Sequence, residues 1–123
     1  METEDICPVG DTLDLFNRKW IFCILSNIFY GAKHFKEFKE LNLDISNHVL
    51  SQTLKYMVEN GLISKVQDGN KTIYDLTEKG FKANKIIFEL ACYSLDELKY
   101  SSLEDSEKIE IKESYKKTLK LTE

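Results

Sequence analysis

Ser46, Asn47, His48, Ser51, Gln52 and Lys55 fall on one side of the stretch 46–60, and they are the side chains of this 123-residue chain best suited to reading another molecule. Each is short or carries hydrogen-bonding groups, and no acid interrupts the set before Glu59. A helix face meant only for water usually carries Glu/Lys pairs at four-residue spacing, as residues 104–120 do. Hydroxyls, amides and a lysine are instead the chemistry that reads base edges in a major groove. Gln52 is the strongest reader, because a glutamine amide pairs with adenine through two bonds. His48 has two readings: a donor or acceptor at a base edge, or a cap and flank of its own helix.

Other chemistries are thinly supplied. Cys7, Cys23 and Cys92 are odd in number and lack CxxC spacing, which argues against a disulfide framework and a zinc site. His34 and His48 are the only histidines. No GxGxxG, GxSxG, P-loop or HExxH string occurs, so neither an enzyme nor a cofactor is expected. Cys7 is the sharpest thiol. Pro8 after it marks a helix start, where the dipole favours thiolate, while Asp5 and Asp11 favour the thiol. It reads equally as a reactive cysteine or as a small structural cap. Cys23, in an apolar run, and Cys92 read as packing.

The elements that must position these residues follow from periodicity. Cys7-Pro8 opens a first helix with Val9, Leu13 and Phe16 on one face. Lys19–Tyr30 is apolar nearly all round and belongs at the centre of a core or a dimer seam, with Gly31 ending it. Trp20, Phe22 and Phe29 there read as core, with a ligand pocket as the alternative. Phe35, Phe38 and Leu41 make a short amphipathic helix, and Asn42-Leu43-Asp44 breaks it. Ser46 caps a helix whose apolar positions are Val49, Leu50, Leu54, Met57 and Val58, ended by Gly61. Leu62–Val66 and Lys71–Leu76 alternate as strands about Asp68-Gly69-Asn70, a strong hairpin signal. Asn70 serves either the wing contact or the turn, which needs positive φ. Thr77 starts one helix carrying Phe81, Ile86, Ile87, Leu90, Ala91 and Leu95. Ser102–Asp105 reads as a capping box opening a last charged helix to about residue 120. That helix is either solvated or packed across a dimer through Ile109, Ile111, Tyr115 and Leu119.

The order of short helix, tight turn, capped helix and two-strand hairpin is a helix-turn-helix followed by a wing. The expected architecture is mainly α with a small β-hairpin. Residues 1–100 form the winged-helix unit and 101–123 a charged helical extension. Net charge is −4, but it is uneven: residues 1–30 hold five acids against two bases, whereas 31–76 hold six of each. Local patches, rather than the total, govern nucleic-acid binding. The longest apolar run, Trp20–Leu25, is too short for a bilayer, and the acidic start Met-Glu-Thr-Glu-Asp5 is unlike a signal peptide. A cytoplasmic location and no membrane partner are expected.

Five strings carry a resemblance. Cys7-Pro-Val-Gly-Asp-Thr-Leu-Asp-Leu-Phe-Asn-Arg-Lys-Trp20 resembles the opening signature of HxlR-type regulators, a winged-helix branch similar to the MarR group. His34-Phe-Lys-Glu-Phe38, Ile45-Ser-Asn-His-Val-Leu-Ser-Gln-Thr-Leu54, Glu59-Asn-Gly-Leu-Ile63 and Tyr74-Asp-Leu-Thr-Glu-Lys-Gly80 continue it in register. The resemblance implies a homodimer built from the first helix and the long helix after the wing, bound to double-stranded DNA. Residues 46–60 of each subunit would enter successive major grooves about 34–36 Å apart. It implies phosphate contacts from Arg18 and Lys19 and from His34, where relatives usually carry Arg. Lys55, Lys65 and Lys71 are the further phosphate candidates. It also implies oxidant or electrophile sensing at Cys7, an oxidant or small-molecule effector, and repression by analogy. The chain departs from the family in a clipped wing at Asp68-Gly69-Asn70, in His48 and Thr53 where basic residues are common, and in the extension after Ser102. The competing reading, suited to the acidic pI near 5.3, is a winged-helix protein-interaction module with little DNA affinity.

Overall fold

The structure, a computed structural model, describes residues 6–121. The N-terminal acids Glu2, Glu4 and Asp5, and residues 122 and 123, lie outside that range. The elements are α1 (Pro8–Leu15), α2 (Ile21–Phe29), α3 (Phe35–Leu41), α4 (Asn47–Glu59), β1 (Ile63–Asp68), β2 (Lys71–Leu76), α5 (Glu78–Phe81), α6 (Asn84–Glu97) and α7 (Asp105–Thr118). The expected mainly helical winged helix-turn-helix with one hairpin is what forms.

Local chemistry sets most boundaries. Pro8 occupies the first turn of α1, with Cys7 at the cap. The Ser46 hydroxyl accepts from the Val49 amide at 3.1 Å and starts α4, and Thr77 does the same for the Gly80 amide at 3.0 Å. Gly31 and Gly61 take left-handed φ of 106° and 72°. Each lets the following amide turn back: Ala32 donates to the Asn27 carbonyl at 3.0 Å and Leu62 to that of Met57 at 2.9 Å. Such a pattern satisfies carbonyls that a helix end leaves bare.

The strands pair antiparallel from Ile63↔Leu76 to Asp68↔Lys71. β1 therefore starts one residue later than expected and runs two further. Only Gly69 and Asn70 lie outside the ladder, and Gly69 carries the positive φ, 64°. A left-handed first turn residue is the type II′ pattern, so the turn role assigned to Asn70 is corrected: Gly69 supplies the conformation.

The core gathers around α2. Ile21, Ile24, Leu25 and Ile28 are buried with Phe38, Ile45, Leu50, Leu54, Met57, Leu62, Ile63, Tyr74, Ile87 and Leu119. Trp20, Phe22 and Phe29 pack against this cluster, with Phe22 stacked on Phe16 at 4.4 Å. The turn between α3 and α4 is held by polar groups: buried Asn42 donates through Nδ2 to Asn27 Oδ1 at 2.7 Å and to the Phe38 carbonyl at 2.8 Å. Lys39 Nζ donates to the Ile45 carbonyl.

Several expectations change. Leu41 is exposed, while its neighbours Phe38 and Asn42 are buried. Val9 and Leu13 are 72% and 64% exposed, so among the described residues nothing covers that part of the apolar face of α1. The single helix expected after Thr77 is two, α5 and α6, broken at Lys82-Ala83. α5 is pinned to the start of β1, where the Thr77 amide donates to the Leu62 carbonyl at 3.2 Å; α6 must follow the core, and one straight helix cannot do both. The last cap is Glu104, not the Ser102–Asp105 box: the Glu104 amide donates to the Glu107 carboxylate at 3.3 Å. α7 packs back onto its own chain. Leu119 is fully buried, its carbonyl accepts from buried Asn84 Nδ2 at 2.9 Å, and Lys112 pairs with Asp96 at 2.8 Å. No described helix is long and apolar enough to cross a membrane.

Candidate nucleic-acid interface

α4 presents Ser46, Asn47, His48, Ser51, Gln52 and Lys55 to the outside, and all six are exposed. The opposite stripe, Leu50, Leu54 and Met57, anchors the helix to the core. Thr53, at a position where the resemblance leads one to expect a basic residue, is buried, its hydroxyl satisfied by the Val49 carbonyl at 2.7 Å. It joins the inner stripe because it stands four residues before Met57.

Basic side chains border this face on two sides. On one, Arg18, Lys19, Trp20, His48, Val49, Gln52 and Thr53 line a depression of about 340 Å³, so the loop entering α2 meets the N-terminal half of α4. The Arg18 guanidinium lies 4.4 Å from the centre of the Tyr56 ring and Lys19 Nζ 4.8 Å from that of Trp20. On the other side, Lys65 of β1 shares a cleft with Ser51, Lys55, Glu59 and Tyr74. Lys55 lies 4.0 Å from Glu59, both in solvent, where such a pair is weak and yields readily to a phosphate.

The rest of the expected set sits along the wing. Lys71 and Asn70 are exposed at its tip. Lys71 shares a hollow with His34, Lys36 and Thr72. His34 caps α3, and its Nδ1 lies 3.0 Å from the Thr72 carbonyl oxygen. Since that oxygen only accepts, Nδ1 carries the proton and Nε2 alone remains for an outside partner. Sequence reading missed Tyr56, which seats Arg18, and Lys36 beside Lys71. A tyrosine at four-residue spacing from Gln52 was the available signal for the first.

The thiols divide by environment. Cys7 is exposed at the start of α1, with Sγ over the first turn where Gly10 leaves room for it. Cys23 retains exposed surface, yet the neighbours crowding its sulfur outweigh nearby Lys19 and push its thiol pKa up. Burial likewise pushes Cys92 up, against Lys112. Among the described residues no group of three His, Cys, Asp or Glu side chains is placed to hold a metal ion.

Residues 15–101 match the HxlR-like helix-turn-helix family. The HTH-type transcriptional regulator YdeP of Bacillus subtilis is 32% identical over 87 residues, which cover 68% of each chain. The redox regulator HypR, solved in its oxidized form, superposes with a TM-score of 0.70 at 25% identity, covering 76% of this chain and 99% of HypR. A Porphyromonas gingivalis protein assigned to the MarR family of transcriptional regulators gives 0.68 at 27% identity, covering 80% and 99%. The chain spans about half the length, 47%, of the Mycobacterium tuberculosis regulator Rv3095 that it also matches. With its helix-turn-helix and its wing in place, the chain belongs to the HxlR-like helix-turn-helix family, whose members are transcriptional regulators built on a DNA-binding winged helix.

Proposed function

We propose that the chain is a cytoplasmic, homodimeric repressor that binds double-stranded DNA in a sequence-specific way. α4 enters the major groove and the hairpin follows the flanking backbone. The observation that carries this reading is the polar face of α4 bordered on both sides by cations, Arg18 and Lys19 on one and Lys65 on the other. Asn47, His48, Ser51 and Gln52 then supply base contacts, while Lys55, Lys65, Lys71 and the α2 entry supply phosphate contacts. Residues 1–100 carry the reading head and the dimer surfaces, and α7 in the extension braces α6. The uncovered Ile6 just before α1, Val9 and Leu13 of α1, and Leu90 and Tyr93 of α6 suit an apolar seam between two copies.

Cys7 is the proposed point of control. Its thiolate takes one oxygen from a peroxide, releasing water, or bonds to an electrophilic carbon. The modified sulfur then crowds Gly10 in the first turn of α1, at the edge of the proposed seam. An oxidant should change the DNA affinity of the wild type and leave Cys7→Ser unmoved; equal responses remove the idea.

The main test is binding to the DNA upstream of its own gene at several salt concentrations. A steep fall of affinity with salt, plus preference over unrelated duplex, supports the regulator. No binding at low salt points to the protein-interaction module, which the net charge of −4 favours.

A further inference from the structure

Arg18 is the sole arginine among 17 basic residues, and it stands where the chain enters α2. Its guanidinium lies over the ring of Tyr56, 4.4 Å from the centre. Tyr56 sits on α4, one turn beyond Gln52, and its hydroxyl donates to the Leu15 carbonyl at 2.6 Å. The ring is thus fixed at both ends, by the helix at its Cα and by the α1–α2 junction at its oxygen. Phe16 stacked on Phe22 holds the same junction from the core side. Among the described residues no carboxylate pairs with Arg18.

A guanidinium whose flat face is covered keeps its N–H groups around the edge, in a planar fork that matches two phosphate oxygens. An exposed arginine ordinarily loses rotamer freedom when it binds. Stacking on an anchored ring removes much of that loss beforehand and adds cation–π attraction. Arg18 lines the same depression as His48 and Gln52, so a phosphate gripped there would lie beside the residues proposed to read the bases.

We propose that Tyr56 is a positioning residue for DNA, holding Arg18 as a preformed phosphate fork that sets the register of Gln52 on the bases. The proposal rests on the DNA-binding reading above. Tyr56 itself touches no nucleic acid; it acts through Arg18.

The test measures affinity for a duplex of the chain's own upstream sequence against salt, for wild type, Arg18→Gln, Tyr56→Phe, Tyr56→Leu and the Arg18→Gln/Tyr56→Leu double variant. Losing one phosphate contact lowers the log–log salt slope by about 0.9 for each subunit. Arg18→Gln and Tyr56→Leu should each show that drop, and the double variant should fall no further. Tyr56→Phe, which keeps the ring and loses its anchor, should fall between. A purely structural tyrosine would lower the melting temperature of Tyr56→Leu while leaving the slope of the folded protein at the wild-type value, and that outcome overturns the proposal. So does an equal further drop when Tyr56→Leu is added to Arg18→Gln. If the wild type shows no salt-dependent binding, the DNA reading itself fails and takes this inference with it; a wild type that binds steeply beside a silent Tyr56→Leu removes the inference alone.

Discussion

Nδ1 of His34 and the carbonyl oxygen of Thr72 lie 3.0 Å apart, so one imidazole joins the N-terminus of the first helix of the helix-turn-helix to the wing. The Tyr74 amide donates to the Lys33 carbonyl at 2.8 Å one step further along. His34→Ala leaves the backbone bond and removes the side-chain bond. A loss of about 1 kcal/mol in stability is expected, with faster amide exchange in the β2 half of the wing. Unchanged exchange there would mean the imidazole does not tether the wing.

Gly80 answers for the end of the string Tyr74–Gly80. A Cβ at this position would run into the Leu62 carbonyl oxygen, a backbone atom that cannot swing aside. Gly80→Ala should therefore destabilise the protein by roughly 1–3 kcal/mol, read from urea unfolding. A variant as stable as wild type would show that α5 can lift away from β1 freely.

Lys120 offers the opposite case. It holds a φ of 60° at the end of α7, where the Leu121 amide donates to the Lys116 carbonyl at 2.8 Å. That conformation strains a residue with a Cβ, so Lys120→Gly should stabilise by about 0.5–1 kcal/mol. Gly61→Ala, at the matching place after α4, should destabilise by a similar amount. Thermal melts of the pair decide it: shifts of the same sign would refute the comparison.

The thiols should separate by pH. Raised pKa values at Cys23 and Cys92 mean less thiolate at neutral pH and slow alkylation that speeds up as pH rises. Cys7, exposed at a helix start, should take up limiting iodoacetamide first at pH 7.5. Peptide mapping that found Cys92 modified ahead of Cys7 would contradict this order.

Reader and anchor can be told apart. Gln52→Ala should relax base preference at one position in each half-site, whereas Lys71→Ala should weaken all duplexes alike and flatten the salt dependence. Competition with single-base variants of the site separates them, and identical behaviour of the two variants would show the roles wrongly divided.

Much of this was legible because it is local. Ser46, Gly31 and Gly61 announce helix ends through capping chemistry a few residues long, and the inner stripe of α4 repeats at helical spacing. The polar face followed from the same period. What stayed hidden depends on partners far along the chain. The phosphate contacts expected of Arg18 and His34 gave no hint of the ring of Tyr56 beneath the one or of the Thr72 carbonyl against Nδ1 of the other. Nothing in the period singled out Thr53 as an inner residue, yet a hydroxyl that bonds its own helix at Val49 can be buried at little expense. Leu119 was legible as a packing residue, but not that it packs into its own chain's core, which depends on α6 and Asn84. The break at Lys82-Ala83 carries no proline, so no composition signal marked it.

The wing is paired through all six positions of each strand, from Ile63↔Leu76 to Asp68↔Lys71, and only Gly69-Asn70 turns between them. A long loop would have to surrender its disorder on meeting a duplex, and that lost freedom would oppose association. This hairpin has almost none to surrender. In the proposed complex its clipped tip would reach fewer phosphates but would arrive already shaped, so the shortfall in contacts would be partly offset by the small ordering entropy of docking.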